Sequence, residues 1–132
     1  MNELTWKYVK PLSNPTAIDE FEKAHGVVFP DDLKEILVAN NGGRPSLRYY
    51  DLPKDKDKEF KTLLSFNMDD IETIYKRYPV DSADKSLLPF ASDPAGNLFV
   101  IKDCGIWLWN HENDSTVFVA SSFTAFLQLL HE

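Results

Sequence analysis

The chain has 132 residues, of which 43% are hydrophobic and 13% aromatic, and its formal net charge is −7. This composition predicts one folded domain over residues 1–132 and excludes a disordered protein. Cys104 is the only cysteine, which excludes an internal disulfide and favours a reducing compartment. The first residues lack the features of a secretion signal, and no apolar run approaches the ~20 residues of a membrane helix. We therefore expect a cytoplasmic protein.

The negative charge is spread unevenly along the chain. Residues 67–132 hold ten acidic and four basic side chains, a net charge of −6, which leaves −1 for residues 1–66. Nucleic acids and anionic membranes attract basic surfaces, so neither is the expected partner. An acidic half suits a basic protein partner, although a role in solubility alone is equally compatible with it.

A pair of helices is predicted near the N-terminus, after residues Trp6–Val9, which fit either a short strand or a packed arm. Asn14 followed by Pro15 predicts the start of the first helix, and Gly26 its end. Two aspartates after Pro30 favour the start of the second helix, which the run from Asn40 to Gly43 ends. The residues at helical spacing that would face a common core are Ile18, Phe21, His25, Leu33, Ile36 and Leu37.

The middle of the chain mixes strand and helix signals. Leu47–Leu52 and Phe60–Phe66 are predicted strands. Between them, residues 54–59 alternate in charge and indicate a solvated loop or an exposed strand end. A third helix is predicted to begin near residues 67–70 and to end at Pro79. Its apolar positions are Ile71, Ile74, Tyr75 and Tyr78.

The C-terminal part carries the clearest turn chemistry. Two apolar runs, Leu88–Ser92 and Leu98–Ile101, meet across Asp93-Pro94-Ala95-Gly96-Asn97, which predicts a β-hairpin. Trp107–Trp109 and Thr116–Ala120 predict a second strand pair, and Ser121-Ser122 predicts the cap of a last helix with Phe123, Phe126, Leu127 and Leu130 inward. The predicted fold class is α+β, with an N-terminal helix pair, a continuous mixed or antiparallel β-sheet with an inserted helix, and a C-terminal helix.

No catalytic, metal-binding or cofactor-binding pattern is present in the sequence. The three histidines share no ligand spacing with Cys104, and Gly42-Gly43 lacks the flanking residues of a phosphate-binding loop. We therefore expect no enzyme, no metal and no cofactor. One alternative stays open, in which Asp93, Asp103 and Glu112 converge in a cleft and act on a small molecule.

Trp107 and Trp109 are spaced to lie on the same side of one strand, either in the core or at an interface. Acidic residues follow at the nearby turns and strand ends. An aromatic centre with an acidic rim is typical of an interface in which the centre supplies affinity and the rim supplies rate. The predicted partner-binding residues are Asp93, Asp103, Trp107, Trp109, Glu112 and Asp114.

Three segments resemble motifs of one family. Pro30–Leu37 running into Asn40–Gly43 resembles its "P-x-D-L-K-E-x-L…N-G-G" helix and turn. Phe90–Asn97 resembles its "F-A-x-D…G-N" hairpin, which the strand Ile106–Glu112 follows, and Ala120–Leu127 is similar to its closing "S-F-x-x-F-L" helix. In their order and spacing over residues 14–130, these motifs resemble the SUKH superfamily, in the branch that includes the yeast Smi/Knr cell-wall regulators.

The resemblance implies an α+β binding domain, widespread in bacteria as immunity proteins that neutralise polymorphic toxins, often nucleases. It carries no catalytic residue over to this chain. We therefore expect a cytoplasmic immunity protein with a basic protein toxin as partner, and neither nucleic acid nor membrane. The alternatives are a regulatory scaffold or peptide-binding module, as in the yeast branch, and a small-molecule binder or hydrolase.

Overall fold

The computed structural model describes residues 4–132, which form helices and antiparallel strands. The α+β prediction is confirmed, with the helix pair, the inserted helix and the C-terminal helix in their expected order. In chain order the elements are β1 (Trp6–Lys7), α1 (Ala17–His25), α2 (Asp31–Ala39), β2 (Arg44–Pro45), β3 (Tyr49–Leu52), β4 (Asp55–Glu59), β5 (Thr62–Leu63), α3 (Ile74–Arg77), β6 (Leu88–Ser92), β7 (Leu98–Lys102), β8 (Gly105–Asn110), β9 (Ser115–Ala120) and α4 (Phe123–Leu129).

The strands form an antiparallel sheet in the order β5-β6-β7-β8-β9, together with two separate ribbons, β1–β2 and β3–β4. The expectation of one continuous sheet is therefore wrong. The predicted strand Phe60–Phe66 divides between two partners. The N–H of Phe60 donates to the carbonyl of Arg48 in the ribbon region, and the N–H of Lys61 donates to Ser92 in the sheet. The chain changes from ribbon to sheet at this point.

The local signals at helix ends are mostly confirmed. Gly26 ends α1 with a φ of 65°, which glycine adopts without steric cost. The side chain of Ser122 accepts the N–H of Ala125 and caps α4. Asn14, in contrast, does not cap α1. Its Oδ1 accepts the N–H of Thr16 at 3.1 Å, so it forms a turn before the helix, which begins at Ala17.

Asp32 connects the N-terminal helix pair to the last helix. Its Oδ1 accepts the N–H of Leu33 within α2. Its Oδ2 accepts the N–H of Thr124 at 2.9 Å and the hydroxyl of Thr124 at 2.8 Å. One carboxylate thus satisfies backbone donors at the N-terminal ends of both α2 and α4, where negative charge is favoured.

The inserted helix is shorter than the sequence indicates. The helix predicted from residues 67–70 is a single turn, α3, and Ile71 is 86% exposed. Thr73 is extended and forms an isolated parallel bridge with Ser65. The N–H of Ser65 donates to the carbonyl of Glu72 at 2.9 Å. Because this pairing holds the backbone before α3 in an extended form, the residues preceding it cannot be helical.

A cluster of aromatic rings fills the core between the sheet, the β3–β4 ribbon and α4. The ring of Phe99 lies 5.0 Å from Phe60, 5.5 Å from Phe126 and 5.8 Å from Tyr50, measured between centroids. Phe90 is 6.4 Å away on β6. All five rings are buried. The helix pair and the last helix thus share this core with the sheet, since Leu33 and Leu37 of α2 are also buried.

We predict that Phe126→Ala lowers the free energy of unfolding by about 3–5 kcal/mol, because it removes a fully buried ring and leaves a cavity. Leu129→Ala is the matched control on the same helix, where the side chain is partly exposed. Chemical denaturation measures both. A loss below about 0.5 kcal/mol for Phe126→Ala would show that α4 does not dock as described.

Tyr50 carries an unusual feature for a core residue. Its hydroxyl is buried and forms no hydrogen bond with residues 4–132. Burial raises the pKa of this phenol. An unpaired buried polar group costs about 1–3 kcal/mol, so we predict that Tyr50→Phe leaves the free energy of unfolding unchanged or raises it. A loss above 1 kcal/mol in denaturation, with Tyr49→Phe as control, would contradict this expectation.

Candidate protein-binding surface

Side chains of β7 and β8 alternate between two faces of the five-stranded sheet. Phe99 and Leu108, which are paired across the strands, face the aromatic core. Leu98 and Trp109, the neighbouring pair, therefore point to the opposite, outer face. All four side chains are buried, so both faces of the sheet are covered at this position.

Residues 78–87 cover the outer face. The N–H of Ala83 donates to Oδ2 of Asp114 at 3.0 Å. Asp84 pairs with Lys102 on β7, with 3.0 Å between Oδ2 and Nζ. These two contacts fix the segment against the sheet. Its buried residues are Val80, Ser82 and Leu87.

The cover stops short of the last strand, where two aromatic side chains are accessible. Trp107 is half-buried and Phe118 is 50% exposed. Their rings meet edge to face, with centroids 5.3 Å apart. Nζ of Lys102 lies 5.5 Å from the centre of the Trp107 ring. We call Trp107 and Phe118 the aromatic edge, because Phe118 belongs to β9, the outermost strand of the sheet.

The two tryptophans predicted as partner-binding residues differ in exposure. Both lie on the outer face, but Trp109 is only 5% exposed, and its Nε1 donates to Oδ1 of Asp114 at 2.7 Å. Trp107 lies beside Lys102, which pairs with Asp84 of this segment, and stays partly accessible. Trp109 therefore packs the outer face, and Trp107 is the tryptophan that a partner can reach.

The carboxylate of Asp93 forms hydrogen bonds within the β6–β7 turn. It is 9% exposed, and its Oδ1 accepts the N–H of Ala95 at 2.9 Å and that of Asn97 at 2.8 Å. Its Oδ2 accepts the side-chain amide of Asn97. The carboxylate therefore shapes the β6–β7 turn, and the structure does not present it at a rim.

The four predicted carboxylates do not gather in one place. The β6–β7 turn and the β8–β9 loop lie side by side, because the N–H of His111 donates to Oδ1 of Asn97 at 3.2 Å. Asp103 lies in the β7–β8 turn at the opposite end of β8, a strand of six residues and so about 20 Å long. A general acid and base must share one cleft, so this placement does not support a hydrolase built from Asp93, Asp103 and Glu112.

Glu112 and Asp114 are both exposed in the β8–β9 loop but have different surroundings. Asp114 accepts hydrogen bonds from Ala83 and Trp109. The backbone N–H of Ala83 is the main cause that lowers the pKa of Asp114 to about 2. Asp114 therefore holds the loop, β8 and residues 78–87 together. Within residues 4–132 the carboxylate of Glu112 forms no hydrogen bond or ion pair, and the side chain is exposed.

Phe118 is the accessible aromatic residue of this candidate surface that sequence reasoning missed. The register between β8 and β9 shifts between Ile106 and Trp107, so that Ile106 pairs with Ala120 and Trp107 with Phe118. Alternation along β9 alone cannot reveal this irregularity. The signal that the sequence offers is a large aromatic residue in the middle of the predicted strand Thr116–Ala120.

By spacing, one group among residues 4–132 could hold a metal ion. The ligand atoms of Asp51, Asp57 and His131 lie within 4.8 Å of one another. Nε2 of His131 is 3.3 Å from Oδ1 of Asp51. The carbonyl of Glu132 and the carboxylate of Asp51 raise the pKa of His131, which favours an imidazolium paired with carboxylates. We describe this group as an ion-paired cluster.

We predict that Asp114→Asn flattens the dependence of stability on pH. Because the pKa of Asp114 is lowered in the folded state, its contribution is present above about pH 4, the usual pKa of an unfolded aspartate, and is lost as the pH falls toward 2. The variant should be less stable at pH 6 and lose less stability between pH 6 and pH 3. Denaturation at both pH values measures this effect, with Asp103→Asn as control. Parallel losses in wild type and variant would contradict it.

No helix within residues 4–132 combines the length and the apolar character needed to cross a bilayer. The sequence model of the SMI1 / KNR4 family (SUKH-1) matches residues 13–129. No curated protein gives a significant match. The matched region includes the helix that begins at Asp31, the Asp93–Asn97 turn and α4, which together carry the resemblance seen in the sequence. The chain therefore belongs to the SMI1 / KNR4 family (SUKH-1).

Proposed function

We propose that this chain is a cytoplasmic immunity protein that binds and neutralises a polymorphic toxin and catalyses no reaction. Membership of the SUKH family supports an immunity-like, protein-binding role. A more specific proposal is that the partner is a basic toxin, for example a nuclease. It rests on the charge and shape of the candidate surface.

The aromatic edge is the observation that carries this proposal. Trp107 and Phe118 form an accessible pair beside the free edge of the sheet. Tryptophan is enriched among interface residues that contribute most to affinity, because a large ring can be fully desolvated on binding. A free strand edge also offers backbone donors and acceptors to a partner.

Acidic side chains flank the aromatic edge along β8. Asp103 and Glu112 are exposed in the turns at the two ends of this strand. Residues 67–132 carry a net charge of −6, which would attract a basic partner over long range and raise its association rate. Of the six predicted partner-binding residues, we propose Trp107, Asp103 and Glu112 as contacts. Asp93, Trp109 and Asp114 would support them from within the fold.

We predict opposite kinetic effects for charge and aromatic variants in binding to a basic toxin domain, which an immunity role would place in a neighbouring gene. Neutralising Asp103 and Glu112 together, as Asp103→Asn with Glu112→Gln, should slow association and flatten its salt dependence with little change in dissociation. Trp107→Ala should speed dissociation by about 30-fold, equivalent to ~2 kcal/mol. Surface-based binding kinetics at low and high salt measure both effects.

The matched controls lie away from the candidate surface. Glu35→Gln removes an exposed carboxylate on α2, and Ile71→Ala truncates an exposed apolar side chain before α3. Neither should change the rates. If the Asp103, Glu112 and Trp107 variants behave like these controls, the partner docks elsewhere, and the next surface to test is the αα-hairpin around Asn40–Arg44.

A peptide-binding role is the second candidate, and a cleft between α1 and residues 66–75 favours it. Its volume is about 590 Å³, and its walls include Phe21, His25, Met68 and Tyr75. Pockets of this size and apolar character accommodate small ligands or side chains. A neighbouring gene that encodes no toxin, with peptide capture that Met68→Ala abolishes, would favour this function over immunity.

A further inference from the structure

The β1–β2 and β3–β4 ribbons enclose a cleft of about 550 Å³ on a part of the molecule remote in sequence from the aromatic edge. Four basic side chains line it, those of Lys7, Arg44, Arg48 and Lys61, against the two acidic side chains of Glu59 and Glu132. A net positive cleft stands out in a chain whose overall charge is −7. We call it the basic cleft.

Two of these cations form no ion pair among residues 4–132. Arg48 lies 3.8 Å from Glu59, and Lys61 pairs with Glu72. Lys7 and Arg44 are exposed, and neither forms an ion pair within the part of the chain that the structure describes.

Lys7 and Arg44 are also direct cross-strand partners in the β1–β2 ribbon. Like charges directly opposite each other in an antiparallel pair are destabilising. No carboxylate of residues 4–132 lies within ion-pair distance of either cation, although Arg44 is close enough to Glu72 to help lower the pKa of that carboxyl. An anion bound between them would remove the repulsion.

Aromatic rings hold the two arginines at the cleft. The guanidinium carbon of Arg44 lies 5.8 Å from the centre of the Tyr8 ring, and that of Arg48 lies 5.2 Å from the centre of Tyr49. Nη2 of Arg48 also donates to the hydroxyl of Tyr49 at 3.2 Å. These contacts restrict the guanidinium groups, so that less freedom is lost when a ligand binds.

Tyr8 adopts a backbone conformation that is rare for an aromatic residue. Its φ is 57°, and its side chain is 72% exposed. Just beyond it, the N–H of Lys10 donates to the carbonyl of Asn41 at 2.8 Å, which fixes the chain after β1. Strained backbone of this kind clusters at ligand-binding sites, since surrounding contacts must hold it. Here it places an exposed ring under Arg44.

We propose that the basic cleft binds a small dianion whose negative charges lie on oxygen atoms, as in phosphate monoesters and dicarboxylates. Two unpaired cations match a charge of −2. The fork of Arg44 can donate two parallel hydrogen bonds to such a group, and Lys7 adds a compact charge. Tyr8 and Tyr49 supply apolar walls for the rest of the ligand, and the volume lies in the range of small-molecule sites. This site is independent of the proposed toxin-binding surface.

The test is a titration of the isotope-labelled full chain followed by ¹H–¹⁵N correlation spectra. The probes are inorganic phosphate, phenyl phosphate and succinate, each at constant ionic strength maintained with sodium chloride. We expect saturable shifts at Lys7, Tyr8, Arg44 and Arg48. Tighter binding of phenyl phosphate would identify a phosphate monoester as the ligand class, and tighter binding of succinate a dicarboxylate.

Two variants examine the assignment to the cleft. Arg44→Gln and Lys7→Gln should each weaken binding of the preferred probe at least fivefold, with spectra that show an intact fold. Lys54→Gln is the matched control, because it removes the same charge from the exposed β3–β4 turn. Shifts that stay linear for all three probes, or equal weakening by Lys54→Gln, would overturn the proposal.

Discussion

The burial of Phe99 among rings from separate elements is the constraint on which the rest of the structure depends. The β3–β4 ribbon does not belong to the five-stranded sheet, and Tyr50 joins it to that sheet through contact with Phe99. Phe126 brings α4 to the same ring. Since α4 is tied to α2 through Asp32 and Thr124, the helix pair is held by the same cluster. One buried ring thus fixes the relative positions of the ribbon, the sheet and the helices.

The sequence could predict those elements whose signals are local. The Asp93–Asn97 turn, the end of α1 at Gly26 and the cap of α4 at Ser122 depend on residues within a few positions of each other, and all three form as expected. The failures depend on partners far along the chain. Ser65 holds Thr73 extended and shortens α3. Arg48 and Ser92 divide the predicted strand Phe60–Phe66 between two sheets.

The sequence could predict which side chains lie near the candidate surface, but not which of them are exposed. The spacing of Trp107 and Trp109 places both on one face, yet only Trp109 is buried, at the point where Ala83 is bound to Asp114. Because that contact joins residues 31 positions apart, the spacing of residues along β8 cannot predict it. Glu112 and Asp114 illustrate the same limit. They are both carboxylates in one loop, but only Asp114 contacts the indole of Trp109 and the backbone of Ala83.

The outer strand β9 carries no charged residue between Ser115 and Ala120, and Val117 and Phe118 are exposed on it. Strands of this kind can pair with other copies of the chain. At neutral pH, mutual repulsion between molecules of charge −7 opposes such pairing. As the pH approaches the sequence pI of about 4.9, the repulsion vanishes, while Asp84 and Asp114, each with a pKa of about 2, still hold residues 78–87. The contacts that these two carboxylates make therefore persist at a pH where the electrostatic barrier to pairing along β9 is lost.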